Sequence, residues 1–140
     1  YRTFQRTCSK VAETAGEILE KLGYNEHTVE LAQIAGYMHD MGNCVNRVDH
    51  AHSSALMAFQ LLREWKFPDE DIAAIVSAIG QHDEQTGTAV DAVSAALILA
   101  DKTDVRRNRV RNPIKENFDM HDRVNYAAVA PVFRLMLRKK

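Results

Sequence analysis

The chain has little cysteine, no long apolar run and almost no net charge, and each scarcity excludes something. Its two cysteines, Cys8 and Cys44, stand far apart and outside any Cys-x-x-Cys arrangement. They make neither a zinc ribbon nor a disulfide framework, and they read as free thiols of a reducing compartment. The cytoplasm is therefore the expected location. No apolar run approaches the ~20 residues that span a bilayer. No basic stretch followed by an apolar one opens the chain at Tyr1, so no secretory leader is expected. Charged residues make up 26% of the chain and the formal net charge is −1, which gives no general electrostatic reason to expect a nucleic-acid or membrane partner. There is no Gly-rich phosphate loop, no repeat and no low-complexity tract. No β-type alternation is sustained anywhere.

What is present is apolar periodicity. The apolar fraction is 46% over 140 residues, enough for one domain, 1–140, with a sizeable core. Val11, Ala12, Ala15, Ile18, Leu19 and Leu22 form a helical stripe over Thr3 to Leu22, and Gly23 is the expected stop. A second helix is predicted from about Glu26 to Met41, capped by Asn25 and ended by Gly42. Residues 43–48 read as a polar connection. A third helix runs from near Asp49 to Trp65. Phe67-Pro-Asp-Glu-Asp71 starts a fourth, with proline early and acids in the first turn, carrying Ile72, Ile75, Val76 and Ile79 towards His82. Residues 83–88 read as a loop. Val90 to about Asp104 is apolar nearly all round and is expected to be the most buried helix. A basic segment with Arg106, Arg107, Arg109 and Arg111 follows, then an amphipathic stretch from about Asp122 to Leu137 interrupted by Pro131. The expected fold is all-α: five core helices and a C-terminal helical segment.

The chemistry sits where apolar helices end. His39 and Asp40 close the run Ile34-Ala-Gly-Tyr-Met-His-Asp-Met-Gly42, and Asp101 closes Ala95-Ala-Leu-Ile-Leu-Ala-Asp101. His82-Asp83 follows Ile79-Gly80, and His50 and His52 open the third helix. Such groups are costly in an apolar setting unless something satisfies them, and a shared cation does so most cheaply. Mixed imidazole and carboxylate donors suit Fe, Mn, Co, Ni or Zn, and oxygen-only sets suit Mg or Ca. A carboxylate flanked by imidazoles could bridge two ions ~3.5–4 Å apart, a geometry used in hydrolysis at phosphorus. Taken singly, each residue reads as a hydrogen-bonded polar group at a helix end. Taken as an ordered set, they read as one metal site.

That order resembles the HD-domain superfamily of metal-dependent phosphohydrolases, most closely its small stand-alone bacterial members. The resemblance runs through Tyr37-Met-His-Asp-Met-Gly-Asn-Cys-Val-Asn-Arg47, Asp49-His-Ala-His-Ser-Ser-Ala55, Ile79-Gly-Gln-His-Asp-Glu84 and Ala96-Leu-Ile-Leu-Ala-Asp-Lys-Thr-Asp104. It extends into Arg109-Val-Arg111 and residues 118–126. It implies a compact helical bundle holding one or two divalent ions, among Fe, Mn, Ni, Co, Zn or Mg. It implies His39, Asp40 and Asp101 for a first ion, and His50 and His82 for a second, with Asp40 bridging. It implies hydrolysis of a phosphate ester or nucleotide by a metal-activated water, with Asp40, His50 and His82 as the catalytic group. Arg47 and Lys102 are candidates for a substrate phosphate by sequence proximity.

Two departures stand against the family pattern. The family's first His, four residues before the Val-Ala of helix one, is Thr7 here, a poor ligand, with Cys8 beside it. A Lys that dinuclear members place three residues after the Asp is Asn43. Thr7 motivates a rival reading, a catalytically impaired HD-like binding or regulatory module. Asp83 falls where several dinuclear members have another His, and it is expected off the metal. His27 is expected at the surface, and His52 second to His50. His121-Asp122 repeats the dipeptide without an apolar helix to bury it and reads as a helix cap. The arginine run reads as a solvated segment near the site mouth, and Cys44 as packing rather than a nucleophile. Trp65 and Phe67 are expected within the domain, with packing against a second copy in a homodimer as the alternative.

Overall fold

A computed structural model of the chain describes residues 2–104, with side chains from residue 5 onward. The chain divides into two compact units, residues 1–101 and 102–140. The arginine run, His121-Asp122 and the amphipathic C-terminal stretch lie outside the described residues. Among the described residues the fold is all helix: α1 (Arg2–Lys21), α2 (Glu26–Met38), α3 (His50–Glu64), α4 (Asp69–Gly80) and α5 (Ala92–Thr103), with a 3-10 turn at Met41–Cys44. Among these residues no helix is long and apolar enough to cross a membrane.

Local chemistry sets most helix ends. At the end of α1, Gly23 takes φ +84°, its N–H donates to Glu20 O, and Tyr24 N–H donates to Leu19 O. That is the Schellman arrangement, which needs a left-handed residue and favours glycine. The same pair of bonds ends α3, from Lys66 N–H to Arg63 O and from Phe67 N–H to Leu62 O. There the left-handed residue is Lys66, at φ 57°. Asn25 caps α2 by accepting from the backbone N–H and the hydroxyl of Thr28. Asp91 and Ser94 cap α5 reciprocally: Asp91 Oδ1 accepts from Ser94 N–H, and Ser94 Oγ accepts from Asp91 N–H. The α4 start carries Asp69, Glu70 and Asp71, which complement the positive helix end.

The core is drawn from every helix. Val11, Ala15 and Leu19 of α1 meet Ala32 and Ala35 of α2, with Leu62, Ile75, Ile79 and Leu97 from the other helices. Helices α1 and α2 touch at their backbones: a Cβ on Gly36 would stand 2.5 Å from the Ala12 Cα. Small residues on both sides allow that approach, and it seats the end of α2 in the core.

Two expectations need correction. Helix α2 stops at Met38 rather than Met41, because residues 41–44 tighten into the 3-10 turn that lies against α3. Trp65 is 60% exposed rather than buried, while Phe67 packs against the core. Helix α5 buries Val93, Ser94, Ala96, Leu97 and Ala100 and turns Leu99 to the surface.

Candidate metal centre

The end of α2, the start of α3, the end of α4 and the end of α5 converge on one cluster. Each of its histidines is oriented by its own turn of chain. His39 Nδ1 lies 2.7 Å from Gly36 O, His82 Nδ1 lies 2.6 Å from Ile79 O, and His50 Nδ1 lies 3.1 Å from Arg47 O. A carbonyl only accepts, so all three Nδ1 atoms carry the proton and donate. In each neutral ring, Nε2 is then left with a bare lone pair.

Those three lone pairs face each other and two carboxylates. His39 Nε2 is fully buried without a hydrogen-bond partner, 3.5 Å from Asp101 Oδ1 and 3.6 Å from Asp40 Oδ2. On the other side of Asp40, Oδ1 lies 3.5 Å from His50 Nε2 and 3.9 Å from His82 Nε2. His50 Nε2 and His82 Nε2 are 3.1 Å apart. The His39 and His50 rings each meet the His82 ring edge-on, with centroids 5.0 Å apart. Two bare nitrogens that close repel unless a proton or a cation lies between them. Neighbouring ligand atoms on one ion at ~2.1 Å stand roughly 3.0–3.4 Å apart; the His50–His82 gap of 3.1 Å falls in that range and the imidazole–carboxylate gaps of 3.5–3.9 Å lie just beyond it. Two donor sets result: His39, His82 and Asp101, and Asp40, His50 and His82. The residues present therefore fit a divalent ion.

The electrostatics agree. Burial pulls the His39 pKa down, but the Asp101 and Asp40 carboxylates and the Gly36 carbonyl outweigh it and hold the pKa above its ordinary value. His82 is held below its ordinary value, by burial first and then by charge on His39, against the pull of Ile79 O and both carboxylates. A proton on His39 thus disfavours a second on His82, and the cluster carries its positive charge unevenly.

The other sequence candidates fall elsewhere. Asp83 Oδ1 accepts from Gln85 N–H and shapes the 83–87 turn. His52 is exposed, and His27 pairs at the surface with Asp71 at 2.8 Å. Arg47 has an exposed side chain, and its carbonyl is the anchor of His50. Lys102 is exposed in the last turn of α5. Thr7 and Cys8 are both buried on α1, and Cys44 is exposed. Sequence reading named Gly42 only as a helix end and missed Gly36, and both glycines hold the centre. Gly36 supplies the His39 anchor at the α1–α2 contact, and Gly42 sits where a Cβ would strike the His50 carbonyl.

An all-helical bundle that ends several apolar helices on a histidine–aspartate cluster defines a class. The HD domain model matches residues 8–124, and the chain belongs to that family, part of a superfamily of metal-dependent phosphohydrolases. Among curated proteins it is 30% identical over 107 residues to ribonuclease Y of Fervidobacterium nodosum, covering 76% of this chain and 20% of that protein. It is 31% identical over 108 residues to an uncharacterized protein of Methanocaldococcus jannaschii, covering 71% and 41%. It is 29% identical over 117 residues to ribonuclease Y of Streptococcus agalactiae, covering 83% and 21%. The chain thus spans between a fifth and two fifths of the length of these relatives. No solved structure gives a significant match.

Proposed function

We propose that residues 1–140 form one HD-type domain that hydrolyses a phosphate ester or nucleotide with two divalent ions. The observation that carries this reading is the convergence of three Nε2 atoms on both oxygens of Asp40. Oδ2 of Asp40 faces His39 and Oδ1 faces His50 and His82, so one carboxylate serves both sides. In this reading His39, Asp101 and Asp40 hold one ion, and His50, His82 and Asp40 the other. An ion there supplies Lewis-acid charge and lowers the pKa of water towards neutrality. The protein's own part is orientation, since every imidazole is fixed by a backbone carbonyl before any ion arrives. In place of a second ion, His50 and His82 would pass to the leaving oxygen a proton drawn from the attacking water, held across their 3.1 Å gap. Arg47, on the loop that anchors His50, and Lys102 are the candidates for the substrate's phosphate.

Thr7 favours a second reading, a nucleotide-binding module with an impaired centre, because it leaves the first ion with three side chains. The two separate by elemental analysis of the purified protein followed by assays across Fe, Mn, Co, Ni, Zn and Mg. Two of the relatives are named ribonuclease Y, so substrates should include a short RNA besides phosphomonoesters, phosphodiesters and nucleotides. Bound metal with turnover supports the enzyme. No bound transition metal and no turnover with any ion removes it. Asp40→Ala should abolish both metal and turnover, and activity surviving in that variant would overturn the mechanism.

A further inference from the structure

The Asp40–His50 half of the centre joins two segments ten positions apart in the chain, and something must set their spacing. The connecting loop is a poor candidate: residues 44–49 are all exposed. Instead the 3-10 turn that follows Asp40 is wedged against the first turn of α3, whose first residue is His50. At the wedge, Gly42 N–H donates to Ser54 Oγ at 2.8 Å, a buried bond. Gly42 lies so close to α3 that a Cβ there would meet the His50 carbonyl, and would stand 2.7 Å from Ser54 N. Ser54 is itself fully buried. It sits one helical turn after His50, so the clip grips the turn that presents the imidazole.

The geometry points to Ser54 as a positioning residue: through Gly42 it sets the Asp40–His50 spacing and so assembles the second ion's site. Its hydroxyl accepts from the Gly42 N–H and so acts through the backbone of the turn. Within the centre, His39 and Asp101 are held from outside this clip, and Asp40 is what the two sides share. His39 is set by Gly36 on α2, and Asp101 is carried by α5. The consequence is asymmetric. Loss of the Ser54 hydroxyl should loosen the side holding His50 and leave the His39–Asp101 side in place. This inference rests on the two-ion reading above.

The test uses the full chain and Mn2+ as the probe, with binding followed by calorimetry and by electron paramagnetic resonance. Wild type should take up two Mn2+ and show the signal of a spin-coupled pair. Ser54→Ala should keep the tighter equivalent, weaken the other by about ten- to hundred-fold, as loss of a supporting hydrogen bond does, and show an uncoupled Mn2+ signal. Ser54→Cys, of similar size but a weaker acceptor, should fall between them and serves if the alanine variant does not fold. Ile75→Val, a core truncation that removes no hydrogen bond of the centre, controls for lost stability and should keep the coupled pair. A wild type that binds only one Mn2+ would remove the two-ion reading itself. A coupled pair of unchanged affinity in Ser54→Ala, or equal weakening of both equivalents there and in Ile75→Val, would remove the positioning role alone.

Discussion

Replacing Gly36 by alanine sets two effects of known size against each other. In a helix interior alanine is favoured over glycine by about 0.8–1 kcal/mol. Against that, the new Cβ would stand 2.5 Å from the Ala12 Cα and 2.8 Å from the Ala12 nitrogen. Ordinary carbon contact is ~3.5–4 Å, so α1 and α2 must part by roughly 1 Å. The obstructing atoms are backbone and cannot rotate away. Overpacking a tight core costs about 1–3 kcal/mol, and the upper part of that range applies where Val11, Ala12, Ala15, Ala32 and Ala35 are all fully buried. The net expectation is a loss of about 1–2 kcal/mol, or roughly 3–7 °C in Tm for a domain of this size. Gly16 provides the matched comparison. Its Cβ would meet only the Gln33 side chain, at 2.8 Å, and a flexible amide can swing aside. Gly16→Ala should therefore gain up to ~1 kcal/mol of helix propensity. Thermal unfolding by circular dichroism in EDTA, so that no ion contributes, reads both. A Gly36→Ala protein as stable as wild type, or more so, would refute the backbone contact between α1 and α2.

Other perturbations probe the centre and the helix ends. In EDTA, the His39 contribution to stability should be fully present below its unfolded pKa of ~6.5. It should be lost as pH rises through its raised folded pKa. His82, whose pKa is lowered, acts oppositely and loses stability as pH falls below ~6.5. The His39 effect is therefore read above ~6.5, and His39→Gln should remove that slope in a pH series of melts. Excess Mn2+ should raise Tm, since an ion at a hundred times its Kd adds about 2.7 kcal/mol. A Tm of Asp40→Ala that still rises equally with Mn2+ would place the ion elsewhere. Lys66→Gly should stabilise by about 1 kcal/mol, because the left-handed residue ending α3 is then free of Cβ strain; a lower midpoint in urea unfolding would contradict it.

Much of the scaffold could be read from the chain because its signals are local. Gly23, Asn25 and the Asp69–Asp71 acids act within a few residues of the helix end they define. The family order of His39, Asp40, His50, His82 and Asp101 pointed to a shared site before any geometry was known. What could not be read depends on packing across the chain. The apolar run through Met41 predicts a longer α2, because nothing local reveals that Gly42 must lie against α3. Trp65 looks like a core residue by composition, yet its place at the α3 C-cap leaves it exposed. Ser54 resembles any helical serine, and only its bond to Gly42, twelve residues earlier, marks it.

The three backbone anchors of the imidazoles bear on which ion the centre selects. With Nδ1 of His39, His50 and His82 tied to carbonyls, the Nε2 lone pairs converge in directions chosen by the helices and not by the metal. Such a cage suits ions with little ligand-field preference of their own, such as Zn2+, which adapt to the angles offered. It disfavours Cu2+, which binds more tightly in general but seeks a tetragonal plane. Discrimination would then come from stiffness in three short turns of main chain, without any side chain devoted to excluding the wrong ion.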